Sequence, residues 1–308
     1  MLPQAGQPFR VAFVGQRTYF EVCSQTAPSP VIEPTFVEFR SGADADALAA
    51  RLRALAPHVV VVFRPEVIPP GALRGIDALT LGFLTEPLPR AGDDAHPDLE
   101  RRLQDLALAD GDQFDRIVAF DPHITEAASR YLPIWRAQPL PVADEVFSTR
   151  PARHEEVRSL FVGRTTPYRE RWLLPVKHLY DLMHVEHGVF GADLAEMARG
   201  FLIAINLHNE PYPSFENRVA LHLAVGNLVI SEELSPTNGL DPGLDFIQVD
   251  DPDDLVSYLG LIADDPSRFE WVRVRGHLKA ESFRASRVYA RLLLDLLNDV
   301  AAFGRRPR

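Results

Sequence analysis

The sequence predicts an α/β protein built from two parallel-sheet domains. Short apolar runs alternate with helix-like segments from Phe9 to His123. The clearest run, His58 to Phe63 (HVVVVF), is β-branched and apolar on both faces, as a central parallel strand must be. A stretch with four prolines, residues 132–156, interrupts the pattern, and the alternation restarts at Ser159. Repeated βαβ units cover a parallel sheet with helices on both faces.

In order, the first domain reads as strands at Phe9–Val14, Thr35–Phe39, His58–Phe63, Leu79–Leu84 and Arg116–Phe120, with helices at Asp44–Leu55 and Leu99–Leu108. The second reads as strands at Ser159–Val162, Met183–Glu186, Phe201–Asn206, Asn227–Ser231 and Phe246–Val249. Helices fall at Glu170–Leu182, Asp193–Arg199, Ser214–Val225 and Asp253–Ile262, and the tail from about Arg268 to Phe303 is helical. The expected division is a Rossmann-like domain over residues 1–145 and a second Rossmann-like domain over 157–308, with the Pro-rich stretch as linker.

The chain has 308 residues, 46% of them hydrophobic and 24% charged, so it has room for two ordinary cores and no disorder signature. A net charge of -11 argues against nucleic acid and anionic membranes as general partners. The single cysteine, Cys23, excludes a disulfide framework and fits a reducing, cytoplasmic setting; it reads as an ordinary small residue beside the first βα turn. No run is long and apolar enough for a spanning helix, and the polar N-terminus is not a signal peptide.

In open parallel sheets, ligands sit outside the carboxyl ends of the strands. The segments there are VGRTTPYRER, VEHGV, INLHNE and ISEELSPTNG. Gly163 allows close backbone approach, and Arg164 and Arg169 are suited to forked bonds with phosphate; both also read as surface ion-pair partners of Glu170. His187, Asn206, His208, Asn209 and Glu210 follow strands; His187 and His208 equally suit a plain loop. Glu216, Asn217 and Arg218 fall in the first turn of a helix, where free N–H groups attract anions. Arg218 is a cation at the wrong helix end, so it needs a negative partner, either a ligand or Glu210 or Glu216. In the first domain Glu86, Asp121 and His123 follow strands and are candidate general bases, with cap or loop roles as the alternative. His178, His184 and His222 read as structural. Asp44-Ala-Asp46 and Asp251-Pro-Asp253-Asp254 read as helix N-caps rather than metal ligands, and no metal or cofactor is expected. GxGxxG, GxxxxGK[ST] and GxSxG motifs are absent.

FVGRTTPYRERWLLP, HVEHGV, INLHNEPYPSFENRVALHLAVGNLVISEELSP and NGLDPGLDFIQVDDPDDLVSYLGLIADDPSRF resemble, in order and spacing, the C-terminal half of GT-B glycosyltransferases. Within these, the similarity is to the spore-maturation (CgeB-like) group 1 proteins, over residues of about 158 to 295. The resemblance implies two Rossmann-like domains facing across a cleft, a terminal helix crossing back to the first, and a nucleotide-sugar donor held by the second. Gly163 and Arg164 would then lie near the donor phosphates, Asn206 to Glu210 along the floor, and Glu216 to Arg218 at the diphosphate or sugar. Glu216 would join the catalytic set. It implies metal-independent transfer to a hydroxyl acceptor. One departure stands out: the two acidic positions of the retaining-family pattern are Pro213 and Leu221 here. Two alternatives therefore accompany the transferase: a silent nucleotide-sugar- or glycan-binding scaffold partner, and an epimerase-type enzyme on the same architecture.

Overall fold

The computed structural model describes residues 3–4, 6–90, 97–209 and 213–305. The chain forms β1 (Phe9–Gly15), α1 (Arg17–Phe20), β2 (Ile32–Glu38), α2 (Ala45–Leu55), β3 (Val59–Phe63), β4 (Leu79–Leu84), α3 (Pro97–Ala107), β5 (Arg116–Ala119), α4 (Thr125–Ser129) and β6 (Ile134–Ala137). It continues through β7 (Ser159–Val162), α5 (Pro167–Leu179), β8 (Leu182–Val185), α6 (Gly191–Ala198), β9 (Ile203–Asn206), α7 (Asn217–Val225), β10 (Leu228–Ser231) and β11 (Ile247–Gln248). Helices α8 (Pro252–Asp264), α9 (Glu270–Lys279) and α10 (Ala285–Phe303) close the chain.

Two compact units result. One spans Met1–Asp144 and Ala285–Arg308; the other spans Glu145–Arg284. The first holds a six-stranded sheet in the order β2-β1-β3-β4-β5-β6, and the second a five-stranded sheet in the order β11-β10-β9-β7-β8. All pairings are parallel. Both are doubly wound sheets that reverse direction between the first and third strands of the unit. The crevice at such a reversal is the ordinary ligand position: β1/β3 in one unit, β7/β9 in the other.

In β3, Val60 and Val62 join one apolar cluster, and Val59, Val61 and Phe63 join another on the opposite face. Such two-sided burial contributes roughly 1.5–3 kcal/mol per aliphatic side chain. Asp44 caps α2 by accepting from Asp46 and Ala47 N–H at 2.8 and 3.1 Å, and Asp251 caps α8 by accepting from Asp254 N–H at 2.9 Å. Gly226 ends α7 at φ 98°, a left-handed position that glycine adopts without strain.

The stretch 132–156 differs from a linker. Its Ile134–Ala137 is the sixth strand of the first sheet, half-buried along its length. Its later part belongs to the second unit: Ser148 N–H donates to Ala224 O at 3.1 Å, and Arg273 Nη1 to Ala152 O at 2.9 Å. The helical tail is interrupted by a 3-10 turn at Ala280–Phe283. Beyond it, α10 covers one face of the first sheet. Tyr289, fully buried, donates to Cys23 O at 2.7 Å; Arg136 pairs with Asp295 at 2.6 Å; Arg116 pairs with Asp299. No helix among the described residues is long and apolar enough to cross a membrane.

Helix α9 crosses the loop before β11 at Gly276. A Cβ there would overlap the Asp245 carbonyl oxygen and the Leu223 side chain. Glycine in a helix interior ordinarily costs about 0.5–1 kcal/mol relative to alanine. Gly276→Ala is therefore expected to reverse the usual sign, destabilising by about 1–3 kcal/mol in urea unfolding through overpacking. A gain in stability would show that α9 does not lie this close to the loop.

Candidate functional site

The carboxyl ends of β7, β9 and β10 and the start of α7 form one hydrogen-bonded cluster in the second unit. Its floor is Asn206, the last residue of β9 and 1% exposed. Asn206 Nδ2 donates to Glu216 Oε2 at 3.2 Å and to Ser231 Oγ at 2.9 Å, while its Oδ1 accepts from Arg218 Nε at 2.7 Å. Arg218 Nη2 donates to Leu207 O at 2.7 Å and lies 3.2 Å from Glu216 Oε1. The negative partner that the misplaced cation requires is thus Glu216, two residues away.

Glu216 is the N-cap residue of α7, yet its side chain makes no capping bond. Its carboxylate turns instead to Arg218, Asn206 and His208. Burial pushes its pKa up, but the charge of Arg218, the hydrogen bond and charge of His208 and the Asn206 amide outweigh that and hold it at about 2. The diverted carboxylate leaves the first-turn amides of α7 without a side-chain cap, at the positive end of the helix.

Arg169 has a different role from the one its position suggests. It is 4% exposed, in the first turn of α5, and its guanidinium is spent on backbone carbonyls. Nε donates to His208 O at 2.9 Å and Leu207 O at 3.2 Å, Nη2 to Leu207 O at 3.0 Å, and Nη1 to Arg164 O at 3.0 Å. Burial, with Arg218 nearby, lowers its pKa to about 10. Gly163, at φ 154°, makes room for it: a Cβ would sit 3.0 Å from Arg169 Nη1. The glycine therefore admits a guanidinium. Glu170 pairs with Lys177 at 2.8 Å rather than with Arg164 or Arg169.

Arg164 is exposed. Its Nε reaches Asn209 Oδ1 at 3.3 Å, and its two terminal nitrogens have no partner among the described residues. Asn209 O also accepts from the Thr166 hydroxyl at 3.3 Å. His208 is 2% exposed and points inward, with Nδ1 at 3.0 Å from Glu216 Oε1 and Nε2 at 2.7 Å from Glu233 O. Glu232 accepts from His208 N–H at 2.7 Å and from the Tyr168 hydroxyl; burial raises its pKa and that of Tyr168. Asn217 begins α7. His187 stands apart, exposed beyond the end of the edge strand β8. Glu210 lies outside the described residues. Leu221 is buried in the apolar face of α7. His222 is buried against Asn227 Oδ1 at 3.1 Å, and burial lowers its pKa to about 4.

In the first unit the candidate bases have separate partners. Glu86 pairs with Arg102 at 3.2 Å and Arg64 at 3.5 Å. Asp121, 4% exposed, pairs with Arg90 at 3.0 Å and caps a 3-10 turn by accepting from His123 N–H at 2.8 Å. His123 itself is exposed. Among the described residues no group of three or more His, Cys, Asp or Glu side chains is placed to hold a metal ion.

Ser231 and Tyr168 belong to the cluster but not to the residues expected from the sequence. Tyr168 and Glu232 are separated by 64 positions, and nothing local signals their bond.

Glu216→Gln is expected to lower stability by about 1.5–3 kcal/mol at neutral pH, the scale of charge-assisted hydrogen bonds. Because its pKa is lowered in the folded state, the wild-type advantage is full above about pH 4.5 and declines as pH falls toward about 2. Paired melting curves across acidic pH check this; an advantage that grows on acidification would contradict the ion pair.

Comparison with solved structures gives the architecture a name. Anabaena HepE, solved with UDP and glucose, superposes with a TM-score of 0.58 at 9% identity, covering 94% of this chain and all (100%) of that one. A sucrose-phosphate synthase from Thermosynechococcus elongatus gives 0.58 at 11% identity, over 96% of this chain and 99% of that chain. A glycosyltransferase from Rickettsia africae gives 0.55 at 10% identity, over 96% and 99%. No family profile matches the sequence, and no curated sequence relative matches it. Likeness at such low identity speaks to architecture, and with the two doubly wound parallel sheets it establishes that the chain has the GT-B fold of two Rossmann-like domains.

Proposed function

We propose that the protein is a glycosyltransferase that moves a sugar from a nucleoside-diphosphate sugar to a hydroxyl acceptor, in line with the CgeB-like resemblance. The observation that carries the reading is the juxtaposition at the β7/β9 switch point. There an exposed guanidinium with free donors, Arg164, stands beside the Asn206–Glu216–Arg218 cluster. The N-terminal end of α7, whose N-cap side chain makes no capping bond, lies at the same edge and adds its partial positive charge. Arg169, Arg218 and Arg164 bring three guanidinium groups to this edge, two of them held by protein groups and Arg164 exposed. In a chain of net charge -11 this is a local site for an anion. Solved structures of similar fold were obtained with UDP, and with UDP and glucose, which supports a nucleotide-sugar ligand.

In this reading Arg164 meets the diphosphate, beside the positive end of α7. As the sugar bond breaks, negative charge grows on the departing diphosphate. Fixed donors aimed there lower the barrier without reorganising. Arg169 acts by holding the loop carbonyls in place. The proposal needs no metal, since guanidinium groups supply the charge stabilisation. Glu216 is a positioning carboxylate, because its oxygens are committed to Arg218, Asn206 and His208. An inverting route would also need a general base, for which Glu86, Asp121 and His123 are the candidates read from the sequence. A reducing, cytoplasmic location goes with the single buried cysteine.

A thermal-shift series with UDP, GDP, CDP, dTDP and ADP and their sugars tests the reading. A ligand at 100 times its dissociation constant adds about 2.7 kcal/mol of stability. Arg164→Ala is expected to abolish the shift while leaving the unliganded melt within about 0.5 kcal/mol, as for an exposed substitution. No shift with any nucleotide would favour a scaffold that binds glycan and no nucleotide sugar. Binding followed by isomerised donor, without transfer, would favour the epimerase.

A further inference from the structure

We propose that His208 is a buried imidazolium clamp: with both ring N–H groups donating, it fixes the Glu216 carboxylate and, through it, the Arg218 guanidinium, and it releases them when it loses its proton. The inference concerns the regulation of the site just assigned to the donor, but the clamp stands on geometry that needs no ligand.

The two ring nitrogens face two acceptors. Nε2 lies 2.7 Å from the Glu233 carbonyl, which can only accept. Nδ1 lies 3.0 Å from Glu216 Oε1. That carboxylate already receives donors from Arg218 and Asn206, so it is ionised and also only accepts. A neutral imidazole has one N–H and would set a lone pair against one of these oxygens. The imidazolium satisfies both.

The groups around the ring agree. Glu216 and Ser214 face it from the start of α7, Glu232 and Glu233 from the loop after β10, and Arg218 from α7 itself. Arg169, from α5, donates to the His208 carbonyl at 2.9 Å. Burial disfavours the proton, but the hydrogen bond and charge of Glu216, then Glu232 and the Glu233 carbonyl, outweigh it and raise the pKa above 6.5. A raised pKa in the folded state means the stabilisation is complete below 6.5 and is lost as pH rises through the raised value.

Ser214 supplies the alternative state. Its Oγ lies 3.2 Å from Nδ1. When the ring is neutral the hydroxyl can donate to the bare Nδ1, replacing the bond to Glu216. The carboxylate then loses one of its donors and Arg218 loses a fixed counter-ion. The Nε2–H bond to the Glu233 carbonyl persists, so the release is confined to the Glu216 side of the ring.

The test uses the full-length protein, without ligand, labelled with 15N at histidine and arginine. His208 is assigned by its absence in His208→Gln and the Arg218 Nε–H by its absence in Arg218→Lys. Below pH 6.5 both His208 nitrogens are expected to carry slowly exchanging protons, with the Arg218 Nε–H visible. As pH rises, Nδ1 loses its proton and the Arg218 signal weakens in the same titration. Glu216→Gln should move that transition to lower pH. Ser214→Ala, which removes the donor for the neutral ring, should move it to higher pH. If His208→Gln does not fold, these opposite displacements identify the resonance instead. A ring that is neutral below pH 6.5, or an Arg218 signal indifferent to the His208 titration, overturns the proposal. Failure of every nucleotide to bind would count against the donor reading and leave the clamp standing.

Discussion

A guanidinium buried without a carboxylate organises the carboxyl edge of the second sheet. Arg169 gives its donors to the carbonyls of Arg164, Leu207 and His208, and so ties the loop after β7 to the loop after β9. Those two loops flank the reversal of strand order, where a doubly wound sheet leaves room for a ligand. Gly163 leaves room for the guanidinium: a Cβ there would press on Arg169 Nη1 at 3.0 Å. A buried cation is costly, and here carbonyl dipoles rather than an anion offset the cost.

The second layer of organisation is a chain of charge around Glu216. One carboxylate is shared among Arg218, His208 and Asn206. This explains why the N-cap residue of α7 does not cap, and why a cation is tolerated at the positive end of a helix. It also separates two kinds of arginine. Arg169 and Arg218 are held and act on protein groups. Arg164 is exposed, with its terminal nitrogens uncommitted, and is the one available to a ligand.

Much of the fold was legible because it depends on local rules. HVVVVF could only be a strand buried on both faces, and Asp44 and Asp251 cap the helices that their positions announce. Strand β6 was not legible: it is short, half-buried and set between Pro133 and Pro139, so its pairing with β5 carries it rather than any pattern of its own. That these polar residues gather at one sheet edge was legible from the strand ends, but the bonds among them were not. Arg169 and Arg164 look alike in VGRTTPYRER, and only burial distinguishes a strap from a free donor. Asp121 reads as a base and is an ion-paired cap. The bond between Tyr168 and Glu232 spans 64 positions and rests on tertiary packing alone.

The central claim is that the edge formed by β7, β9 and the start of α7 binds a nucleoside-diphosphate sugar. The most direct measurement is hydrogen–deuterium exchange of the whole protein, with and without the nucleotide sugar that gives the strongest thermal shift. Protection concentrated in peptides covering residues 163–169, 206–209 and 214–218 is the predicted result. Protection confined to the strand ends of the first unit, with these three segments unchanged, would contradict the account and move the donor elsewhere in the fold.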